Sequence, residues 1–146
     1  MSCNRILVAA TPAQVFDVFT KAHCYANWVV GTKDVRGADP DWPRPGSAFH
    51  HTVGLGLARL KDATQVIDID QDRRIALEVR VGPAGRAEVV IELEPHGDGT
   101  QVTMEERPVH GPAAWFFNPV MDVVLHLRNV EALRRLKRVV ERTEAA

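Results

Sequence analysis

Apolar positions along the 146-residue chain change their period twice, and those changes divide it into elements. From Asn4 to Ala10, Ile6 and Val8 alternate with Arg5 and Leu7, which predicts a short strand. Thr11-Pro12 follows, a pairing that suits an N-cap with proline at the first helical position. Val15, Phe16 and Phe19 then recur at helical spacing, so Pro12 to Lys21 is predicted as a short amphipathic helix. A second helical turn is expected from Ala22 to Trp28, with Gly31 at its exit.

From Thr32 to Pro108 the period becomes two. The segment Asp39 to Gly46 carries three prolines, each fixing φ and removing a donor, and is predicted as loop. Strands are expected over 32–37, 47–53, 57–70, 73–81, 85–94 and 99–108. Their separators are Gly54-Leu55-Gly56, Gln71-Asp72, Gly82-Pro83-Ala84 and Pro95-His96-Gly97-Asp98. None can hold a crossover helix, so the strands should form an antiparallel meander. Val89, Ile91 and Leu93 oppose Glu88, Glu92 and Glu94, and Val102 and Met104 oppose Gln101, Thr103 and Glu105, as in a sheet with one wet face. Asn118-Pro119 then begins a long helix reaching to about Glu144, which spans about 40 Å at 1.5 Å per residue. A globule of this size has a radius of gyration of only about 15 Å, so the helix must cross it along the concave side of the sheet. The predicted fold class is α+β. A seven-stranded antiparallel sheet curves around one long C-terminal helix, with two short helices after strand 1, and residues 1–146 form a single domain.

Composition narrows the function. With 45% hydrophobic and 25% charged residues, the chain can build a core without disulfides or metals. A net charge of −1 argues against the basic footprint of a nucleic-acid binder. Apolar runs such as Val123-Val124-Leu125 are too short to span a bilayer, and no secretory leader opens the chain, so a cytoplasmic location is expected. Cys3 and Cys24 match no zinc or redox spacing and are expected to be reduced.

The order of several short motifs resembles a known family. Ala10-Thr11-Pro12-Ala13 with Val15-Phe16 opens the first helix, and Tyr25-Ala26-Asn27-Trp28 ends the second. Trp42-Pro43 and Pro45-Gly46-Ser47 precede a strand, Gly97-Asp98-Gly99-Thr100-Gln101-Val102 leads into the last one, and Arg128-Asn129-Val130-Glu131-Ala132-Leu133 lies in the final helix. In this the chain resembles the START-like, or helix-grip, superfamily, in its polyketide cyclase/dehydrase and lipid-transport branch. The resemblance implies an apolar cavity between sheet and long helix, used for small hydrophobic ligands by carriers, sensors and a minority of enzymes. Fold alone does not choose among them.

Candidate chemistry lies on the surfaces that would line such a cavity. Leu133, Leu136 and Val140 mark the inward helix face, while Arg134, Arg135, Arg138 and Arg142 face water. Projected back at 100° per residue, the inward face takes in Asp122, Leu125, His126 and Asn129. Asp122 and His126, four apart, could form an acid/base pair, or merely a solvated polar cluster at a helix end. Phe49 and His51 are expected to point inward and His50 outward. There His51 could bind a ligand carbonyl or move a proton, or sit as a satisfied core residue. Met104 and then Glu106 are expected inward on the last strand, and a buried Glu106 needs a partner, for which Arg59 or a histidine is the candidate. Trp28, Trp115 and Phe116 sit near element ends, where they could rim a cavity entrance or pack in the core. No HExxH, CxxC or carboxylate cluster occurs, so neither a metal nor another cofactor is expected.

The reading this favours is binding of a small hydrophobic molecule, with His51, Glu106, His126 and Asn129 fixing its orientation. The rival is a cofactor-free cyclase/dehydratase using Asp122-His126, or His51 with Glu106. A third is a protein-interaction regulator, which an exposed apolar patch around Trp42 or around Trp115 to Val120 would favour. An exposed sheet edge would also allow a homodimer.

Overall fold

In a computed structural model the chain runs β1 (Ser2–Val8), α1 (Pro12–Phe19), α2 (Tyr25–Trp28), β2 (Thr32–Ala38), β3 (Ala48–Leu55), β4 (Ala58–Asp70), β5 (Arg74–Arg80), β6 (Arg86–His96), β7 (Gly99–His110) and α3 (Pro119–Ala145). The structure describes residues 2–21, 24–28, 32–55, 58–80, 86–110 and 119–145. Within these, the side chains of residues 2, 26, 27, 32–36, 51–55, 58–62, 108–110, 119–122, 124, 125 and 143–145 lie outside the description.

The strands form one seven-stranded sheet in the order β1-β7-β6-β5-β4-β3-β2. Every neighbouring pair is antiparallel, so the predicted meander is confirmed, with β1 added beside the last strand. Alternation sets the faces as expected. Val89, Ile91, Leu93, Val102 and Met104 are buried, whereas Glu92, Glu94 and Glu105 are exposed. Register shifts bend the sheet, because an extra residue on one strand increases local twist. One lies between Val66 and Asp68 of β4 and leaves Ile67 46% exposed between buried Val66 and half-buried Ile69.

Local chemistry explains where the elements stop. Thr11 accepts a hydrogen bond from Gln14 N at 3.2 Å while the Gln14 side chain accepts from Thr11 N at 2.8 Å, a capping box that starts α1 at Pro12. β1 leaves the sheet at Val8 rather than Ala10, because Ala10 O is taken by the Thr100 hydroxyl at 2.7 Å. The β6–β7 hairpin turns at Gly97-Asp98, with Gly97 at φ +59°, a conformation that glycine adopts without a steric penalty. The proline-rich segment is loop, as expected. It is pinned to β4 by Gly46 N donating to Val66 O (2.8 Å) and Val66 N to Ser47 O (2.9 Å).

α3 is 27 residues long, about 40 Å, and its buried face consists of Asn129, Ala132, Leu133, Leu136 and Val140. It packs on β1 and on both short helices. Near its C-terminus Glu141 accepts from Ala9 N at 3.4 Å and pairs with Lys137. Beneath the short helices lies an aromatic cluster: Tyr25 is 4.6 Å from Phe49 and 5.0 Å from Trp28, and Trp42 is 4.9 Å from Phe49 (ring centroids). The Phe19 carbonyl, left unbonded where α1 ends, accepts from both Tyr25 OH (3.3 Å) and Trp42 Nε1 (3.2 Å). Trp42 is half-buried in this cluster, and its ring and N–H are both committed to the fold. Cys3 and Cys24 are free thiols. Among the described residues no helix is long and apolar enough to cross a membrane.

Two predictions concern this framework. A β-carbon at Gly99 would overlap the Val8 carbonyl oxygen, whereas one at Gly37 meets nothing within 4 Å. Gly99→Ala is therefore expected to lower stability by about 1–3 kcal/mol in urea melts, and Gly37→Ala to leave the midpoint nearly unchanged. The second uses Tyr25, the sole tyrosine. Burial pushes its hydroxyl well above the ordinary tyrosine value, so the folded chain keeps a proton that the unfolded chain releases. Its contribution is complete below about pH 10 and is lost as the pH rises further. Melts above that pH should fall more steeply for the native chain than for Tyr25→Phe, with phenolate absorbance appearing only on unfolding.

Candidate functional site

On β7 every second residue from Thr100 faces inward: Thr100, Val102, Met104 and Glu106 are all buried. Glu106 is the anomaly, a carboxylate only 4% exposed. Register sets Val89 of β6 on one side of it and Ser2 of β1 on the other, with Ile91 and Asn4 flanking Met104 one inward position along. A carboxylate in such a wall must recover the hydration it has lost. Asn129, 2% exposed on the inward face of α3, donates from Nδ2 to Glu106 Oε2 at 2.8 Å. Arg128 Nη2 stands 3.8 Å from Oε1, close enough for charge attraction but too far for a hydrogen bond. The Arg128 side chain is 37% exposed against 6% for that of Glu106, so the guanidinium lies at the margin of the buried carboxylate.

Two side-chain atoms are buried without a partner among the described residues: Arg128 Nε beside the carboxylate, and Trp28 Nε1 inside the aromatic cluster. Glu106 Oε1 receives no hydrogen bond from the described residues but is not one of these sealed atoms. Buried polar atoms are nearly always paired, so such gaps mark places where something else can bind. In chemical terms, the cluster offers an accepting carboxylate oxygen beside a positive charge on an apolar wall. Among the described residues, the group within hydrogen-bond reach of Glu106 is the Asn129 amide, which carries no titratable proton.

The candidates from the sequence separate into groups. Met104, Glu106 and Asn129 come together on facing elements, while Phe49 and Trp28 are buried in the aromatic cluster, Trp28 as core rather than rim. The partner expected for Glu106 was Arg59 or a histidine; among the described residues the groups that meet it are Asn129 and Arg128, while the side chains of Arg59, His51 and His110 lie outside the description. Arg128 was not foreseen, since it flanks the apolar stripe and reads as a surface arginine. Its position next to Asn129 was the available signal. His126 does not face inward: it is exposed, as are Val123 at 59% and Leu127 at 62%. The reason lies in the register. Asn129 reaches the residue paired with Ser2, the first residue of β1, so His126, about 4.5 Å earlier along the helix, has passed the end of that strand. The side chains of His51, Arg59 and Asp122, and all of Trp115 and Phe116, lie outside the described residues.

Two open depressions carry a different character. One lies by the β4–β5 turn, lined by Asp70, Asp72, Glu92 and Glu94 among others, and one along β5–β7, lined by Arg74, Glu88, Glu105, Arg107 and Glu106 itself. Both are dominated by charged side chains, several engaged in exposed ion pairs such as Arg74–Asp68 and Arg107–Glu88.

The Glu106–Asn129 contact makes a measurable prediction. Asn129→Leu strands a buried carboxylate and is expected to cost about 3–5 kcal/mol in chemical unfolding. In the double variant with Glu106→Leu both polar groups are gone, and most of that loss should return. Additive losses in the cycle would show that the two side chains do not interact.

Comparisons with known proteins agree with this geometry. No curated protein matches the chain. Among solved structures, protein NE0264 from Nitrosomonas europaea superposes with a TM-score of 0.75 at 16% identity, over 99% of this chain and 96% of that one. CalU16 from Micromonospora echinospora gives 0.66 at 18% identity, over 94% and 74%. Ara h 8.0201 gives 0.74 at 9% identity, over 94% and 95%. At these identities they establish a shared fold. The family model for polyketide cyclase/dehydrase and lipid transport matches residues 4–141, and the chain belongs to that family.

Proposed function

We propose that the protein binds a small apolar molecule between the inner face of the sheet and α3, and that Glu106 and Asn129 orient it. The observation that carries this is the buried carboxylate whose Oε1 receives no hydrogen bond from the described residues, set in a wall of Val89, Met104 and Ile91. Apolar burial would supply most of the affinity at about 25 cal/mol per Å², and the polar pair would fix which way round the ligand sits. The family description includes lipid transport, which is consistent with a carrier.

The same description includes cyclases and dehydrases, and a buried carboxylate favours that second reading. Glu106 would then be the proton-transferring group, with the cavity shape holding the substrate near its reactive conformation. The Asp122–His126 relay is not part of it, because His126 is exposed.

Displacement of Nile red by fatty, aromatic and polyketide-like molecules, followed by native mass spectrometry of the complexes, tests the binding proposal. Saturable one-to-one binding is expected, weakened about tenfold by Asn129→Leu once correct folding is verified. Failure of every probe to bind would overturn it. Turnover of a bound polyketide-like molecule that Glu106→Gln abolishes would select the enzymatic reading instead.

A further inference from the structure

We infer that the pocket selects a neutral ligand carrying a hydrogen-bond donor, a hydroxyl or enol on an apolar body, over a carboxylate or phosphate of the same length. This rests on the binding reading above and specifies the polar end of the ligand. Glu106 is more than nine-tenths buried, and its two oxygens are in different states: Oε2 is held by the Asn129 amide at 2.8 Å, while Oε1 faces Arg128 Nη2 at 3.8 Å with no donor on it among the described residues. An oxygen in that state accepts, so the ligand atom that completes it must donate.

Charge balance points the same way. The Glu106 carboxylate and the Arg128 guanidinium cancel, and Asn129 is neutral, so the cluster has no net charge to offer a ligand. A ligand carboxylate placed at Oε1 would set two negative charges against one positive in a poorly hydrated wall, and would supply no proton to the open acceptor. A hydroxyl satisfies Oε1 with its proton and leaves its own oxygen free to accept from the Arg128 guanidinium, which has a buried Nε without an acceptor. An ether of the same shape can accept but cannot donate, so it isolates the contribution of the proton.

The experiment compares decan-1-ol, its methyl ether and decanoate, each displacing Nile red from the full chain at about pH 8, where the acid is ionised. The alcohol is expected to bind about tenfold or more tightly than the ether, as for a hydrogen bond to a charged acceptor, with decanoate weakest. In Glu106→Leu the alcohol and ether should become equal, and in Glu106→Gln the penalty on decanoate should shrink. Equal binding of alcohol and ether by the native chain, or tighter binding of decanoate, would overturn the inference while leaving the binding reading intact. If none of the three displaces the dye and native mass spectrometry finds no complex, both fall together. The native-chain comparison decides the matter even if Glu106→Leu does not fold.

Discussion

An open antiparallel sheet with one apolar face cannot stand alone in water, and here one helix supplies most of its cover. α3 lays Ala132, Leu133, Leu136 and Val140 towards the interior, and the short helices fill the space beside it with Phe16, Phe19, Tyr25 and Trp28. The constraint is therefore one of cover: the inner face of the sheet is dry where the helices lie over it. Asn129 lies opposite a residue paired with the first position of β1, and earlier in the helix Val123, His126 and Leu127 are exposed. Along α3 the polar cluster thus lies between the apolar stripe and these exposed residues. Under the proposed function, a ligand meeting the helix there would leave the packing around Leu136 in place.

Stability alone gives no reason for a carboxylate there. Burying an ion costs several kcal/mol, one amide hydrogen bond and a distant guanidinium recover part of that, and an apolar side chain of similar volume would commonly serve the fold as well or better. The surface ion pairs of this chain are a different matter. Lys21–Asp17, Arg86–Glu78 and Arg135–Glu131 are substantially exposed, and each contributes at most about 1 kcal/mol. Glu106 is set apart by its burial, and this is why a role in recognition is proposed for it.

Much of the architecture was legible in the residues because it depends on local periodicity. Alternation in 85–94 and 99–108, the Thr11-Pro12 start and the prolines before Ser47 each act within a few residues, and each appears as expected. The site was less legible because it depends on distance. Glu106 was placed correctly by extending the alternation of β7, but its partner lies 23 residues away on another element, and only the three-dimensional register decides which side chain arrives. The error at His126 is of the same kind. Angular projection assumes that a helix keeps its partners along its length, whereas here the neighbouring strand ends. The contacts of Trp42 were out of reach for the complementary reason: nothing in a loop's own residues shows that a distant carbonyl will claim its N–H.

That carbonyl, Phe19 O, joins parts of the chain that share no strand pairing. It closes α1, holds α2 through Tyr25 and holds the 39–46 loop through Trp42. One acceptor serving two donors ties these three segments to a single atom, so a change that displaces the Phe19 carbonyl loosens both contacts at once. Through the stacking of Tyr25 and Trp42 on Phe49, and the hydrogen bonds of Gly46 and Ser47 to Val66, the same unit is fastened to β3 and β4 of the sheet that it covers.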